Sequence, residues 1–297
     1  MLPNLLIVGV PKAGTTSIFS YLNLHPDVFG STPKEPGYFH PLRWGDELPD
    51  IKEYEQCFLG YSKQKYAMEA TPGYFYGGEK LASKMKAVLP DSKVILVLRD
   101  PVKRLFSFYK YKLSLGHIES ALTFDSYLEK CKSMSFEYKS RKENYNFWAM
   151  EGGLYSNLIE QWSSLYGNNL KVYFFDDLVR DRVSFTSKIC EWLELDIENI
   201  NSKKMTVENK SMLYRSRRLQ KVAISFDNFF AGLWRFLPFL KIPLSATYNF
   251  FNSKPHDAVL SESVIKELEE FYREDIAKTR SLLEQKQISD FPEWMNR

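Results

Sequence analysis

The chain has 297 residues, of which 44% are hydrophobic, and its formal net charge is +3 at pH 7. This length fits one large domain or two small ones, and so small a net charge gives no reason to expect a nucleic-acid partner. Three cysteines, Cys57, Cys131 and Cys190, lie far apart without C-x-x-C spacing, which argues against a disulfide framework and a zinc site and favours a reducing compartment.

The first predicted element is a buried strand at 5–9, followed at once by a turn and a helix at 16–24. The turn contains a lysine, a glycine and three hydroxyl residues, in the order Pro11, Lys12, Ala13, Gly14, Thr15, Thr16 and Ser17. Any of the three hydroxyls can cap the helix. Because the first N–H groups of a helix lack partners and lie at the positive end of its dipole, the turn is a candidate phosphate site.

This turn departs from the loop of ATP- and GTP-binding proteins, which reads G-x-x-x-x-G-K-[ST]. Gly9 and Gly14 have the glycine spacing of that loop, but Thr15 stands where its lysine belongs, and Lys12 lies two positions before the second glycine. The pattern predicts a phosphate-binding turn of a different kind. A tight strand-to-helix turn with a solvated lysine stays the alternative.

A second strand and helix carry further candidate residues. The apolar run at 94–98 leads into Arg99 and Asp100, and a helix is predicted over 101–115 with Asp100 as its N-cap. Ser107 lies two turns beyond Asp100 on the same helix face, towards which Arg99 can lean. An arginine and a hydroxyl suit a terminal phosphate. An ion pair for Arg99 and a hydrogen bond to the preceding turn for Ser107 are the alternatives.

The rest of the chain continues the alternation of strands and helices. Strands are predicted at 66–69 and 170–175, and helices at 79–88, 123–132, 154–166, 181–194 and 261–285. Such alternation predicts an α/β fold, a single P-loop-like domain over 1–297 with a central parallel sheet flanked by helices. Ligands of such sheets bind at the carboxyl ends of the strands, where Lys12 and Arg99 lie.

Two segments each admit two interpretations. Residues 130–147 are rich in lysine and arginine, and form either a solvated insertion or an acceptor-side lid. Residues 222–251 are rich in phenylalanine and leucine, most densely at 226–240. They form either an amphipathic helix packed on the core or an interfacial segment that contacts a membrane or a lipid-linked acceptor.

Several segments resemble the sulfotransferases that use 3′-phosphoadenosine 5′-phosphosulfate (PAPS), closest to the bacterial carbohydrate and heparan-sulfate-type enzymes. The first turn resembles their P-K-x-G-T-[TS], and the segment from Arg99 resembles their R-D-P-x-x-R-x-x-S-x-[YF]. Lys34-Glu35-Pro36 resembles their K-E-P-x-[FY]-F, and the segment from Gly153 to Trp162 resembles their G-x-Y-x-x-x-L-x-x-W. The resemblance covers nearly the whole chain and is strongest over 1–110.

The resemblance implies a role for each matching residue. Lys12 contacts the bridging oxygen between phosphate and sulfuryl group, and Glu35 is the catalytic base, with His117 as the second candidate for that role. The donor-binding residues are Lys12, Ala13, Gly14, Thr15, Thr16, Ser17, Arg99, Ser107 and, in a basic loop, Arg215. PAPS is the co-substrate. No metal is expected.

One departure from the family bears on the acceptor. Glu69-Ala70-Thr71-Pro72 resembles the family's E-K-T-P, with Ala70 in place of the lysine. We therefore expect the acceptor to be a hydroxyl of a neutral or modestly charged carbohydrate, a glycolipid or a small-molecule alcohol, rather than a heparan-like polyanion. Because no signal peptide or membrane span is recognisable, we expect a cytoplasmic enzyme, with peripheral membrane contact left open.

Two other functions remain as alternatives to PAPS-dependent sulfuryl transfer. The first is a P-loop kinase or NTPase, which shares the strand, turn and helix but predicts dependence on Mg²⁺. The second is a non-catalytic nucleotide-binding, membrane-associated module built around 226–240, for which replacement of Glu35 has no effect.

Overall fold

The structure, a computed structural model, describes residues 1–119, 121–206, 213–214, 219, 253–254 and 260–297. Five parallel strands form its central sheet in the spatial order β2-β3-β1-β4-β5. Their bounds are β1 (Leu5–Gly9), β2 (Val28–Gly30), β3 (Tyr66–Glu69), β4 (Lys93–Leu98) and β5 (Leu170–Phe174). Two further strands, β6 (Leu213–Tyr214) and β7 (Ser253–Lys254), pair antiparallel.

Eleven helices are present among the described residues. They are α1 (Thr15–Leu22), α2 (His40–Trp44), α3 (Ile51–Gln56), α4 (Gly78–Val88), α5 (Pro101–Ser114), α6 (Phe124–Ser133), α7 (Phe136–Lys139), α8 (Ser156–Tyr166), α9 (Phe175–Arg180), α10 (Arg182–Leu193) and α11 (Glu262–Glu284). Short 3₁₀ turns include Tyr74–Gly77, Lys142–Phe147 and Glu151–Gly153. In the part of the chain that is described, no helix is both long and apolar enough to cross a membrane.

The predicted α/β fold is confirmed, and so are the four predicted strands and seven predicted helices, with ends that differ by one or two residues. The short elements β2, α2, α3, α7 and α9 were not predicted, because three to six residues are too few to show a hydrophobic period. The N-cap prediction for α1 was wrong. Gly14 caps that helix in a left-handed conformation (φ 78°) and no side chain caps it, so the three hydroxyl residues occupy its first turn.

The sheet is buried on both faces, which explains why its strands read as continuous apolar runs. Every residue of β1 is fully buried, as are five of the six residues of β4. Leu5 of β1 lies opposite Met68 of β3 and Lys93 of β4, so these three strands run in step. Their carboxyl ends therefore open at one edge of the sheet, and the residues that follow each strand meet there.

Helices α8 and α11 support the backbone at that edge of the sheet. The carboxylate of Asp275 in α11 accepts hydrogen bonds from the backbone N–H groups of Tyr155 (2.6 Å) and Ser156 (3.2 Å), at the start of α8. The hydroxyl of Tyr155 donates to the carbonyl of Arg99 at 2.8 Å. A Cβ on Gly153 would lie 2.7 Å from the ring of Tyr272, so this glycine permits the close packing. The G-x-Y motif thus anchors the backbone at Arg99.

Of the two segments that each admit two interpretations, the structure describes 130–147 but not 222–251. Residues 130–147 comprise the end of α6, α7 and a 3₁₀ turn, and Lys139 within them is buried in an ion pair with Glu151. Of their cationic residues only Lys142, at the far end, lines the cleft described below. Residues 222–251 lie outside the described residues, as does Arg215.

Candidate active site

A cleft of about 1720 Å³ opens at the carboxyl edge of the sheet. It brings together eight of the residues that the sequence predicts for the site: Lys12, Gly14, Thr15, Thr16, Ser17, Glu35, Arg99 and Ser107. Ala13 is fully buried and does not line the cleft. His117, the second candidate base, does not line it either. The predicted residues from β1, β4 and the K-E-P segment therefore share one cavity.

The first turn presents unused N–H groups to this cleft. The N–H of Ile18 donates to the carbonyl of Gly14, and that of Ala13 donates to Val10. Within the described ranges, the N–H groups of Thr15, Thr16 and Ser17 have no acceptor, as expected for the first turn of a helix. An anion placed here would receive several backbone hydrogen bonds and the positive end of the helix dipole.

Lys12 lies among positive charges. Burial, followed by the charges of Arg99 and Lys110, lowers the pKa of the Lys12 ammonium to about 8. Its Nζ lies 4.3 Å from the centre of the Tyr111 ring, a cation–π contact. Since clustered cations repel one another, an anion in the cleft would relieve this repulsion and raise the pKa of Lys12 again.

Arg99 links the two motif segments. Its Nη1 donates to the backbone carbonyl of Lys12 at 2.6 Å, and its guanidinium lies 4.4 Å from the centre of the Phe175 ring. Its Nε is buried and has no hydrogen-bond partner among the described residues. Burial lowers the pKa of the Arg99 guanidinium. A buried donor left without an acceptor is costly, so this nitrogen favours binding of an anion.

Glu35 is held by the residue before it. The Nζ of Lys34 donates to Glu35 Oε1 at 2.8 Å and to the hydroxyl of Thr16 at 3.1 Å. Lys34 thereby connects the K-E-P segment to the first turn of α1. The Lys34 side chain is only 19% exposed, whereas that of Glu35 is 52% exposed and open to the cleft. Lys34 belongs to the K-E-P motif, but the motif predicts no role for it.

Buried Glu69 supports the backbone of that segment. Its carboxylate accepts hydrogen bonds from the hydroxyls of Tyr54 and Thr71, and Thr71 Oγ1 accepts the N–H of Gly37 at 3.4 Å. Burial, partly offset by these hydrogen bonds, raises the pKa of Glu69 to about 7. The end of β3 therefore holds the loop that carries Glu35.

The comparisons with known proteins agree with this geometry. Residues 2–231 match the family model described as the sulfotransferase domain. The chain belongs to the sulfotransferase family. The match confirms the predicted family. Enzymes of this family use PAPS as their sulfuryl donor. The match argues against the kinase and the non-catalytic alternatives.

Two relatives and one solved structure illustrate the similarity. The chain is 23% identical over 201 residues to the bifunctional heparan sulfate N-deacetylase/N-sulfotransferase 1 of Caenorhabditis briggsae. It is 31% identical over 166 residues to the mouse heparan sulfate glucosamine 3-O-sulfotransferase 3B1. These matches span 65% and 54% of the chain, but only 23% and 38% of the relatives' lengths. A sulfotransferase from Alicyclobacillus acidocaldarius shares the fold, with a TM-score of 0.71 and 20% identity over 99% of each chain.

Other parts of this sulfotransferase cleft were missed by sequence reasoning. The junction of α9 and α10 forms one wall, and Leu178 and Phe175 within α9 pack against Gly14. Helix α2 also lines the cleft, with His40 and Arg43. Burial, followed by the charge of Arg43, lowers the pKa of His40 to about 4, so this histidine is neutral near pH 7. The short helices α2 and α9 carry no motif. Only the closeness of His40 to Glu35 in the sequence could have indicated that His40 lines the cleft.

Proposed function

We propose that this chain transfers the sulfuryl group of PAPS to a hydroxyl group of a carbohydrate or glycolipid acceptor. One observation carries the proposal: a single cleft is lined by Lys12, the first turn of α1, Arg99, Ser107 and Glu35. These are the groups that sulfuryl transfer needs, namely cations and N–H donors at the leaving phosphate and a carboxylate at the acceptor.

The donor end of the cleft holds the two anionic groups of the nucleotide. The N–H groups of Thr15, Thr16 and Ser17 bind the 5′-phosphosulfate, and Lys12 stabilises the negative charge that develops on the bridging oxygen. Arg99 and Ser107 bind the 3′-phosphate. The unpartnered Nε of Arg99 supports this assignment. Arg215, proposed to reinforce the 3′-phosphate, lies outside the described residues.

The acceptor end supplies the base. Glu35 takes the proton of the acceptor hydroxyl as the new bond from oxygen to sulfur forms. The bond between sulfur and the bridging oxygen breaks, and its electron pair stays on the 5′-phosphate of the nucleotide product. Lys34 positions Glu35 through their ion pair. All charge neutralisation comes from side chains and N–H groups, so we propose a metal-independent reaction.

The proposed acceptor class follows in part from the relatives, whose names give heparan sulfate as their substrate. For this chain we propose a carbohydrate of lower charge. Ala70, in the position of the family lysine, is fully buried and does not line the cleft. The acceptor end is instead lined by aromatic rings and a few cations. A single domain over 1–297 and a cytoplasmic location remain proposals.

Isothermal titration tests the donor assignment. The product nucleotide, 3′-phosphoadenosine 5′-phosphate (PAP), should bind at least tenfold more tightly than ATP, with or without EDTA. Transfer of labelled sulfate from PAPS to a glycan mixture should persist in EDTA. Lys12→Ala should slow it at least a hundredfold, since the lost contact stabilises the transition state by about 3 kcal/mol. Equal affinity for PAP and ATP, or strict dependence on Mg²⁺, would refute the proposal.

A further inference from the structure

A cage of aromatic rings surrounds one arginine at the acceptor end of the cleft. The guanidinium carbon of Arg43 lies 4.2 Å from the ring centre of Tyr145, 4.8 Å from those of Trp44 and Trp148, and 5.2 Å from that of Tyr76. These four rings are called the aromatic cage below. Such contacts cover the guanidinium and hold it in place.

The arginine in this cage lacks an acidic partner. No carboxylate of the described residues forms an ion pair with Arg43, and none of its side-chain N–H groups donates a hydrogen bond within the described ranges. It is half-buried and lines the cleft together with Trp44 and Tyr145. Because these side-chain N–H donors have no acceptor among the described residues, they are available to an oxyanion in the cleft.

A second cation lies on the same aromatic surface. The Nζ of Lys112 lies 5.1 Å from the ring centre of Phe108 and 5.6 Å from that of Tyr145. Burial lowers the pKa of Lys112, and no described carboxylate pairs with it. Lys142, the third cation at this end, already has a partner in Asp46 at 3.7 Å. Among the described residues at this end, the positive charge without an acidic partner thus comes from two side chains, Arg43 and Lys112, which matches one oxyanion.

The position of the cage relates it to the proposed base. His40 and Arg43 lie on α2, three residues apart, so their side chains are neighbours about 5–6 Å apart at Cβ. The charges of Arg43 and Glu35 both act on the pKa of His40, which places His40 near each of them. An acceptor whose hydroxyl meets Glu35 can therefore present another group of the same sugar, or of the next one, to Arg43.

We propose that the aromatic cage binds one oxyanion of the acceptor, a carboxylate or a sulfate, through the free N–H groups of Arg43. The acceptor ring then packs on Trp44 and Tyr145, and Lys112 adds a second positive charge. This inference rests on the proposed function and narrows its acceptor to a hydroxyl compound with a single acidic group close to the reacting hydroxyl.

The test compares disaccharides that differ in one group. Cellobiouronic acid, cellobiose and cellobiose 6′-sulfate are titrated separately by ligand-observed NMR into the full chain saturated with PAP. Cellobiouronic acid or the 6′-sulfate should bind at least tenfold more tightly than cellobiose, and the stronger of the two identifies the oxyanion. Arg43→Met keeps the packing of the side-chain stem but removes the N–H donors, so it should bring the ratio close to one with PAP affinity unchanged.

Arg273→Met is the matched control. Arg273 is exposed, pairs with Glu270 and does not line the cleft, so this variant should keep the wild-type ratio. Equal binding of the acidic and neutral disaccharides, binding of neither, or an unchanged ratio in Arg43→Met would overturn the inference. Failure of the wild-type chain to bind PAP would instead refute the proposed function, so the two failures are distinguishable.

Discussion

At the scale of single residues, the proposed contact of Lys12 with the donor should make PAP binding depend on pH. Burial and the neighbouring cations lower the pKa of its ammonium to about 8, so the free protein loses this charge as the pH rises through 8. A bound phosphate favours the charged form, and above pH 8 binding must take up a proton. PAP affinity should therefore be constant between pH 7 and 7.5 and fall up to tenfold per unit above pH 8.

Calorimetry at pH 8.5 in two buffers of different ionisation enthalpy measures that proton directly. Lys12→Arg serves as the control, because a guanidinium stays charged throughout this range and should make the affinity nearly independent of pH. A wild-type affinity that stays flat up to pH 9.5 would contradict the assignment of Lys12 to the phosphate.

The ammonium of Lys34 contacts both Thr16 and Glu35, and we propose that Lys34 positions Glu35. Lys34→Met removes both contacts, and we expect kcat to fall about tenfold while PAP affinity changes less. Glu35 is half-exposed, so water screens the ion pair and limits the effect. Lys34→Arg should recover part of kcat. Lys84→Met, on the exposed face of α4, should match the wild type. A kcat unaffected by Lys34→Met would remove this role.

At the scale of elements, the junction of β1 and α1 depends on the contact between Gly14 and α9. Gly14 has a φ of +78°, and a Cβ there would lie 2.5 Å from Leu178 Cδ2 and 3.1 Å from the Phe175 ring. Gly14→Ala should therefore lower both the free energy of unfolding, by more than about 2 kcal/mol, and the affinity for PAP. Thermal unfolding and calorimetry measure the two effects.

Gly116 is a matched control for that substitution. Its φ of +72° is similar, but nothing lies within 4 Å of an added Cβ. Gly116→Ala should cost only the backbone strain, roughly 1–2 kcal/mol, and leave PAP binding unchanged. If the two variants lose equal stability, the packing of α9 on the first turn is not what requires glycine at position 14.

At the scale of the whole molecule, the C-terminal helix α11 supports Arg99, a residue proposed to bind the sulfuryl donor and far from α11 in sequence. Asp275 holds the start of α8, whose Tyr155 in turn holds the carbonyl of Arg99. Asp275→Ala leaves the N–H groups of Tyr155 and Ser156 without this acceptor. It should lower the free energy of unfolding by about 1–2 kcal/mol and weaken PAP binding several-fold.

The neighbouring Glu274 tests whether that effect is specific. Among the described residues, its carboxylate pairs with exposed Lys278 alone, and such a surface ion pair contributes little to stability. Glu274→Ala should leave both the unfolding temperature and PAP affinity unchanged. If Asp275→Ala loses stability yet binds PAP normally, α11 braces the fold without acting on Arg99.

The sequence alone determined the family, the α/β fold class and the residues proposed to hold the donor. It could do so because the information is local. A buried parallel strand is a continuous apolar run, and the groups proposed to bind phosphate, Lys12 and Arg99, follow directly after such strands. The proposed base, Glu35, was indicated by its motif, and the structure brings it into the same cleft.

Only the tertiary structure decided which other residues surround Glu35 and the residues proposed to hold the donor. Lys34 bridges two segments, α9 closes over Gly14, and Asp275 acts from a helix more than a hundred residues beyond Tyr155. The aromatic cage around Arg43 assembles rings from separate parts of the chain. Such contacts depend on how helices and strands pack. Packing brings together residues that have no characteristic separation in the sequence. The motifs therefore did not indicate the proposed acceptor end, because its residues are brought together by packing and do not directly follow one strand.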